Sequence, residues 1–204
     1  GWCYIEKLCQ FYHIPTDHAI VKEAFNAKYD REIECILSDC SASHLVLVLK
    51  HLPTYADTMY YPGAGEILTD HMGREVVNAY IESGVKPSDT ITTGGQKAID
   101  KMLSHLNMLV PDKREQTIVL DWLTYVYQNP GKRINWALFI QGAQGTGKSY
   151  FSSMMGYLLG ANSKTLEASA IADRFASWAH GSRMTTIEEV RVSGTSKFSV
   201  MDRI

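Results

Sequence analysis

The segment Trp136-Ala137-Leu138-Phe139-Ile140-Gln141-Gly142-Ala143-Gln144-Gly145-Thr146-Gly147-Lys148-Ser149-Tyr150 decides how the rest of the chain is read. It opens with an apolar, β-prone run, Ala137 to Ile140, short enough to be a buried strand. Gly142 to Ser149 then satisfies the pattern G-x-x-x-x-G-K-[ST]. Beyond it, Tyr150, Phe151, Met154, Met155, Tyr157, Leu158 and Leu159 recur at three- and four-residue steps until Gly160. That is the pattern of an amphipathic helix and its stop. Strand, glycine loop, helix is the context such a loop requires.

The residue types explain the chemistry expected of it. Glycines let the backbone curl, so that N–H groups from Gly142, Ala143, Gln144, Gly145, Thr146 and Gly147 turn inward around a polyphosphate. A helix beginning near Lys148 adds its positive end. Lys148 supplies a point charge for the β- and γ-phosphates, and the Ser149 hydroxyl a ligand for Mg²⁺. The bland alternative is a glycine-rich turn before an ordinary helix, and the flanking patterns weigh against it. The expected ligand is a nucleoside triphosphate.

Around this loop the composition is ordinary. The chain has 204 residues, 45% hydrophobic and 21% charged, as in a globular protein of one large or two small domains. No run of 18 apolar residues occurs, so no membrane span is expected. The chain starts Gly1-Trp2-Cys3, without Met and without an export signal, and reads as an excised piece of a longer protein located in the cytoplasm. Cys3, Cys9, Cys35 and Cys40 lack a paired C-x₂-C spacing, so reduced thiols are expected rather than a zinc site. Residues 1–110 carry 9 Lys and Arg against 14 Asp and Glu, and residues 111–204 carry 11 against 8. The basic excess in the second part is compatible with a polyanionic partner.

Taken in order, residues 2–13 read as a helix burying Trp2, Ile5, Leu8, Cys9 and Tyr12. A second helix, capped by Thr16 or Asp17, runs through Tyr29 with Ile20, Val21, Ala24 and Phe25 inward, and a third covers Glu32 to Leu37. His44 to Lys50 fits either helix or strand. Tyr55–Tyr61, Glu66–Thr69 and Arg74–Tyr80 read as a hairpin or meander, separated by Pro62-Gly63-Ala64-Gly65 and Asp70-His71-Met72-Gly73. Ser83 to Gly95 reads as a loop. Helices come next over Gln96–Leu109, with Ile99, Met102, Leu103 and Leu106 on one face, and over Asp112–Gln128, with Ile118, Val119, Trp122, Leu123 and Val126 on theirs. After Gly160, Ala170–Trp178 is expected to be helical, before Met184 to Val190. The domains expected are a helical region with a small β-hairpin, 1–110, and a nucleotide-binding part, 111–204.

Hydrolysis needs a carboxylate for the Mg²⁺ shell and a base that orients water. Glu188 and Glu189 end a β-branched stretch about forty residues after Lys148. Because successive strand side chains point oppositely, one can face the metal and the other the γ-phosphate side. Glu188 is assigned to Mg²⁺ and Glu189 to the water, in either order. Two adjacent glutamates on their own are more often a solvated surface.

With these residues in place, the chain resembles the superfamily 3 helicases of viruses and phages, in particular the phage and poxvirus-type primase-helicases. The likeness lies in Trp136–Ser149, in Leu120-Asp121-Trp122-Leu123 with Gln128-Asn129-Pro130-Gly131-Lys132, in Arg174-Phe175-x-x-Trp178, and in Glu188 to Gly194 with Lys197. It covers residues 111–204 well, Tyr60 to Tyr80 weakly and residues 1–50 not at all. The resemblance implies a fold of the α/β class, an AAA+-like P-loop core. It implies ATP and Mg²⁺ as cofactors, and ATP-driven translocation on single-stranded DNA by a homo-oligomeric ring, usually a hexamer, in replication. Lys148, Ser149, Glu188 and Glu189 match the family's ATPase residues, and Lys197 the stretch leading to its DNA-contacting hairpin. The family's polar sensor and arginine finger would lie beyond Ile204, so an incomplete core is expected, its site finished by residues outside this sequence. Two other readings compete with the motor. One is a module that binds nucleotide and assembles without turnover; the other, less natural with Glu-Glu after Thr-Thr-Ile, is a small-molecule kinase.

Overall fold

The computed structural model describes residues 1–34, 40–49, 52–167 and 180–188. It is mixed α/β and divides into two units, Gly1–Ile81 and Glu82–Ile204.

The first unit begins with a correction. Residues 2–13 form not a helix but a hairpin, β1 (Trp2–Ile5) and β2 (Gln10–His13), paired with Cys3 opposite Tyr12 and Tyr4 opposite Phe11. The connection passes through Cys9 at φ 53. β3 (His18–Ile20) adds to β2 antiparallel, and β4 (Thr54–Tyr55) adds to β1 in parallel. The alternation that marks a strand is hidden because both faces of this sheet are covered. Cys3, Ile5 and Tyr12 pack with Val77 on one side, whereas Phe11, with Trp2 and Tyr4, packs with Phe25 and Ala42 on the other. Phe11 stacks on Phe25 with ring centroids 4.0 Å apart. Burial disfavours a thiolate, pushing the Cys3 thiol up to about 11.

Helix α1 (Lys22–Glu34) starts later than the sequence suggested, because His18–Ile20 is drawn into the sheet. Val21 and Ala24 are exposed, and Phe25 is the buried anchor. Two α1 side chains then start the next helix. Asp30 Oδ1 accepts from Ala42 N at 2.7 Å, and Asn26 Oδ1 from Ser43 N at 2.8 Å. With Ser41 as N-cap, α2 (Ala42–His44) runs on into a wider turn, Leu45–Leu49, so the segment from His44 is helical. Cys35 and Leu37 lie outside the described residues. Among those described, Cys3, Cys9 and Cys40 are free thiols, and no group of three or more potential metal ligands occurs.

The expected hairpin is present. β6 (Ile67–Thr69) and β7 (Glu75–Asn78) pair antiparallel across the Asp70–Gly73 turn, and β5 (Thr58–Met59) joins β7 in parallel. Asp70 builds the turn. Its Oδ1 accepts from Met72 N and Arg74 N, and its Oδ2 from Arg74 Nε, holding the carboxyl below its usual range. Buried Asn78 organises the other connection. Its Nδ2 donates to Tyr61 O at 2.9 Å and Gly65 O at 3.0 Å, and its Oδ1 accepts from Tyr61 N at 3.0 Å and Tyr80 N at 3.1 Å.

Among its described residues, the second unit has three α-helices and a two-stranded parallel sheet. α3 (Thr93–Leu109) is capped by Thr92 and α4 (Lys113–Gln128) by Asp112, whose Oδ1 accepts from Glu115 N at 2.9 Å. Gly94 and Gly95, expected in a loop, form the first turn of α3. α5 (Ser149–Leu159) buries Phe151, Met155 and Leu159, which pack with Leu106 of α3 and with Val119, Leu123 and Val126 of α4. Ile118, expected inward, is exposed, one position off the stripe.

Segment 83–85 crosses the end of α5. Val85 N donates to Leu158 O at 3.0 Å, and Ser83 Oγ donates to Leu159 O at 3.2 Å. A Cβ at Gly84 would stand 2.1 Å from Leu158 O, so only glycine lets the two backbones meet. β8 (Ser163–Glu167) and β9 (Met184–Glu188) then run parallel, with Glu167 beside Glu188. Just before β9, Arg183 Nη2 donates to Val126 O and Tyr127 O at 2.7 and 2.6 Å, which caps the carbonyl end of α4. The helix expected over Ala170–Trp178 lies outside the described residues.

Asn78→Ala should remove the bonds by which this side chain holds Tyr61, Gly65 and Tyr80 to β7. The expected loss is about 2–3 kcal/mol of stability, read as a lower urea midpoint at unchanged denaturant dependence.

Candidate phosphate site

The run Ala137–Ile140 forms no strand, and no described strand pairs with it. It is not buried either. Leu138 packs on the helix core, whereas Phe139 is 62% and Trp136 53% exposed. The apolar run thus has one face on the core of its unit and one face open, and among the described residues no strand receives its backbone hydrogen bonds.

Beyond Ile140 the chain does take the expected course: an irregular loop from Gln141, then α5 from Ser149. Gly145 and Gly147 stand at φ 79 and 86, in the left-handed region that favours glycine. A Cβ at Gly145 would meet nothing, whereas one at Gly147 would lie 2.6 Å from the His105 ring. Thr146 Oγ1 donates to Ala143 O at 2.9 Å, closing the loop on itself. Lys148 reaches back across it. Its Nζ donates to Gly142 O at 3.0 Å and Ala143 O at 2.5 Å, and lies 3.3 Å from Thr146 Oγ1.

Loop and the end of α3 border an open cleft of about 340 Å³. Met108, Leu109 and Ile140 form its apolar side. Gly142, Gly145, Thr146 and Lys148 form its polar side, with Gln141 between. Its size lies at the lower end of the range for small-molecule pockets. No side chain caps the first turn of α5, so its N-terminal dipole is left for an outside anion. Curled glycines, an ammonium at the mouth and an uncapped helix start together fit a phosphate chain.

Glu188 comes to this site from β9. Ser152, one turn into α5 from Ser149, places its Oγ 3.3 Å from Glu188 Oε1 and 2.8 Å from Ser149 O. A hydroxyl has one proton, so it serves these two acceptors alternately and holds the carboxylate only loosely. Gly142, Ala143, Gly145, Thr146, Gly147, Lys148, Ser149 and Glu188 therefore fall in one region, with Gln144 at the turn of the loop. Glu189 and Lys197 lie outside the described residues.

Three residues here were not singled out from the sequence. Ser152 carried a signal, its spacing of three from Ser149, which puts both on one side of a helix. Glu167 carried none, since only the β8–β9 register sets it beside Glu188. Nor did His105, 42 residues from the carbonyl it meets.

No protein-family model matches the chain, and no curated protein does. Solved structures do. The apo structure of the NrS-1 C-terminal region matches with a TM-score of 0.73 at 18% identity, covering 100% of this chain and 46% of that one. Two A-form apo structures of the same region match with TM-scores of 0.67 and 0.68 at 16% identity, each covering 92% of this chain and 43% or 42% of theirs. At such identities the likeness is one of fold. The chain spans less than half the length of these structures.

Gly147→Ala should be poorly tolerated, because the new Cβ meets both a left-handed φ and the His105 ring. A cost of about 2 kcal/mol or more is expected, measured by urea unfolding. Gly145→Ala, with the same kind of φ and open space, should cost less.

Proposed function

We propose that this chain carries the ATP-binding part of a replicative DNA helicase of the phage and viral type, related to superfamily 3 and built on an AAA+-like core. In this reading hydrolysis drives movement along single-stranded DNA, and the working form is a homo-oligomeric ring, a hexamer by family resemblance. The observation that carries the proposal is the joint placement of Lys148, the uncapped start of α5 and Glu188 around one loop. The fold shared with the NrS-1 C-terminal region and the sequence resemblance over residues 111–204 support it.

Each residue then has a role. The backbone of Gly142–Gly147 wraps the phosphates, and Lys148 leaves its carbonyl partners to neutralise the β- and γ-oxygens. Ser149 and Glu188 would hold Mg²⁺, which would supply charge neutralisation on the phosphates. Among the described residues the Glu188 carboxylate bonds to Ser152 Oγ, a hydroxyl it shares with Ser149 O, so it can turn toward the cation. Glu189 is the proposed group that orients water, and Lys197 a proposed DNA contact. Met108, Leu109 and Ile140 offer the apolar surface on which a base can lie. Among the described residues, no helix is long and apolar enough to cross a membrane.

The test is ATP hydrolysis with and without single-stranded DNA. DNA should stimulate turnover, and Lys148→Ala should lower it by about 10²–10³-fold, the usual effect of removing one charge-stabilising donor. A Lys148→Ala protein with unchanged activity would refute the site. Tight ATP binding without hydrolysis, DNA present, would instead favour the assembly module.

A further inference from the structure

The last peptide of the phosphate loop is held from outside the motif. His105, in the last turns of α3, places Nε2 3.0 Å from Gly147 O. A carbonyl only accepts, so Nε2 carries the proton, as it does in the Nε2–H tautomer and in imidazolium alike. The ring is fixed in turn. It packs edge-on against Tyr150 with centroids 4.9 Å apart and tilted against Phe151 at 5.8 Å, and its neighbour Leu106 is buried in the helix core. The fit leaves no slack, since even a methyl group at Gly147 would meet the imidazole.

The carbonyl concerned is part of the same planar unit as the Lys148 N–H. In a trans peptide the C=O and N–H point opposite ways. Holding Gly147 O against the His105 ring therefore fixes which way the Lys148 N–H points. The same oxygen also accepts from Tyr150 N at 3.1 Å, the bond that opens the first turn of α5. One imidazole thus holds the oxygen of the Gly147–Lys148 peptide, the same oxygen that opens the helix.

We propose that His105 is a positioning residue for phosphate binding: it holds the Gly147–Lys148 peptide so that the Lys148 amide faces the phosphates. The proposal rests on the nucleotide reading of the loop. Phosphate affinity at such loops comes from amides already aimed at the ligand, which need no reorganisation on binding. Without the imidazole, the Gly147–Lys148 peptide can rotate, glycine offering no steric resistance. The cost then falls on affinity, while the helix core stays intact.

The experiment is titration of the whole chain with a fluorescent ATP analogue in Mg²⁺, comparing the parent with His105→Phe, His105→Gln and Lys148→Ala. Urea midpoints are measured alongside. Phe keeps a flat ring and loses the donor, and Gln restores a donor at about the Nε2 position. His105→Phe should bind about tenfold more weakly, the equivalent of one lost hydrogen bond, with its urea midpoint near the parent's. His105→Gln should recover most of the loss. Parent-like binding by His105→Phe, with Lys148→Ala defective, would overturn the positioning role and leave the nucleotide site standing. A fall in both binding and midpoint that Gln does not rescue would reduce His105 to packing and overturn it too. Parent-like binding by Lys148→Ala would overturn the nucleotide reading itself, and this proposal with it.

Discussion

The second unit depends on one apolar stripe. Phe151, Met155 and Leu159 recur at steps of four, and all three are buried against α3 and α4. Burying that stripe fixes the rotation of α5 about its axis, because turning it would expose three large side chains at about 2 kcal/mol each. Rotation in turn decides where the first turn points. Ser149 and Ser152 lie away from the stripe, on the side that meets Glu188, and the loop enters from the cavity formed with the end of α3. The chemistry at the start of the helix is thus placed by the apolar packing along its length.

Both ends of this helix are arranged by segments distant in sequence. At its C-terminal end, Gly160 at φ 59 closes the turn, and Ser83 Oγ and Val85 N take up the carbonyls of Leu159 and Leu158. At its N-terminal end there is no capping side chain, and His105 instead engages the carbonyl of the preceding loop. The contrast has a physical sense. Carbonyls at the one end are taken up by a distant segment, whereas at the other Tyr150 N and Phe151 N bond back to Gly147 O and Lys148 O and no side chain caps the turn.

How much of this was legible depended on how many faces an element covers. α4 and α5 each bury one stripe, so their three- and four-residue periods stand out, and their bounds were readable to within a residue or two. The hairpin β1–β2 buries both faces, so nearly every residue is apolar and the two-residue alternation vanishes. Trp2, Ile5, Leu8, Cys9 and Tyr12 then imitate a helix by chance spacing. Ala137–Ile140 failed in the opposite sense. Its composition suits a buried strand, but strand formation needs a neighbour to receive its backbone hydrogen bonds, and no described strand does. Of the candidate site, the glycine loop with Lys148 and Ser149 could be picked out from local spacing, and Glu188 from a carboxylate ending a β-branched stretch. His105 and Glu167 were not, since their roles arise from packing and register alone.

Loose restraint of Glu188 and firm restraint of Gly147 make a consistent pair. A carboxylate that must turn toward a cation is better held by a shared hydroxyl proton than by a salt bridge, and the ion pairs among the described residues lie elsewhere, at Lys7–Asp57, Arg74–Asp70 and Lys86–Glu82. A peptide whose amide must already face its ligand gains from rigidity, since any reorientation on binding subtracts from affinity. Glu167 sharpens the argument. Its register beside Glu188 sets two carboxylates on neighbouring strand ends, where like charges repel. In the proposed reading, a divalent cation held with Ser149 would relieve that repulsion, and Glu188, bonded through Ser152 in the first turns of α5, would be the carboxylate that turns toward it.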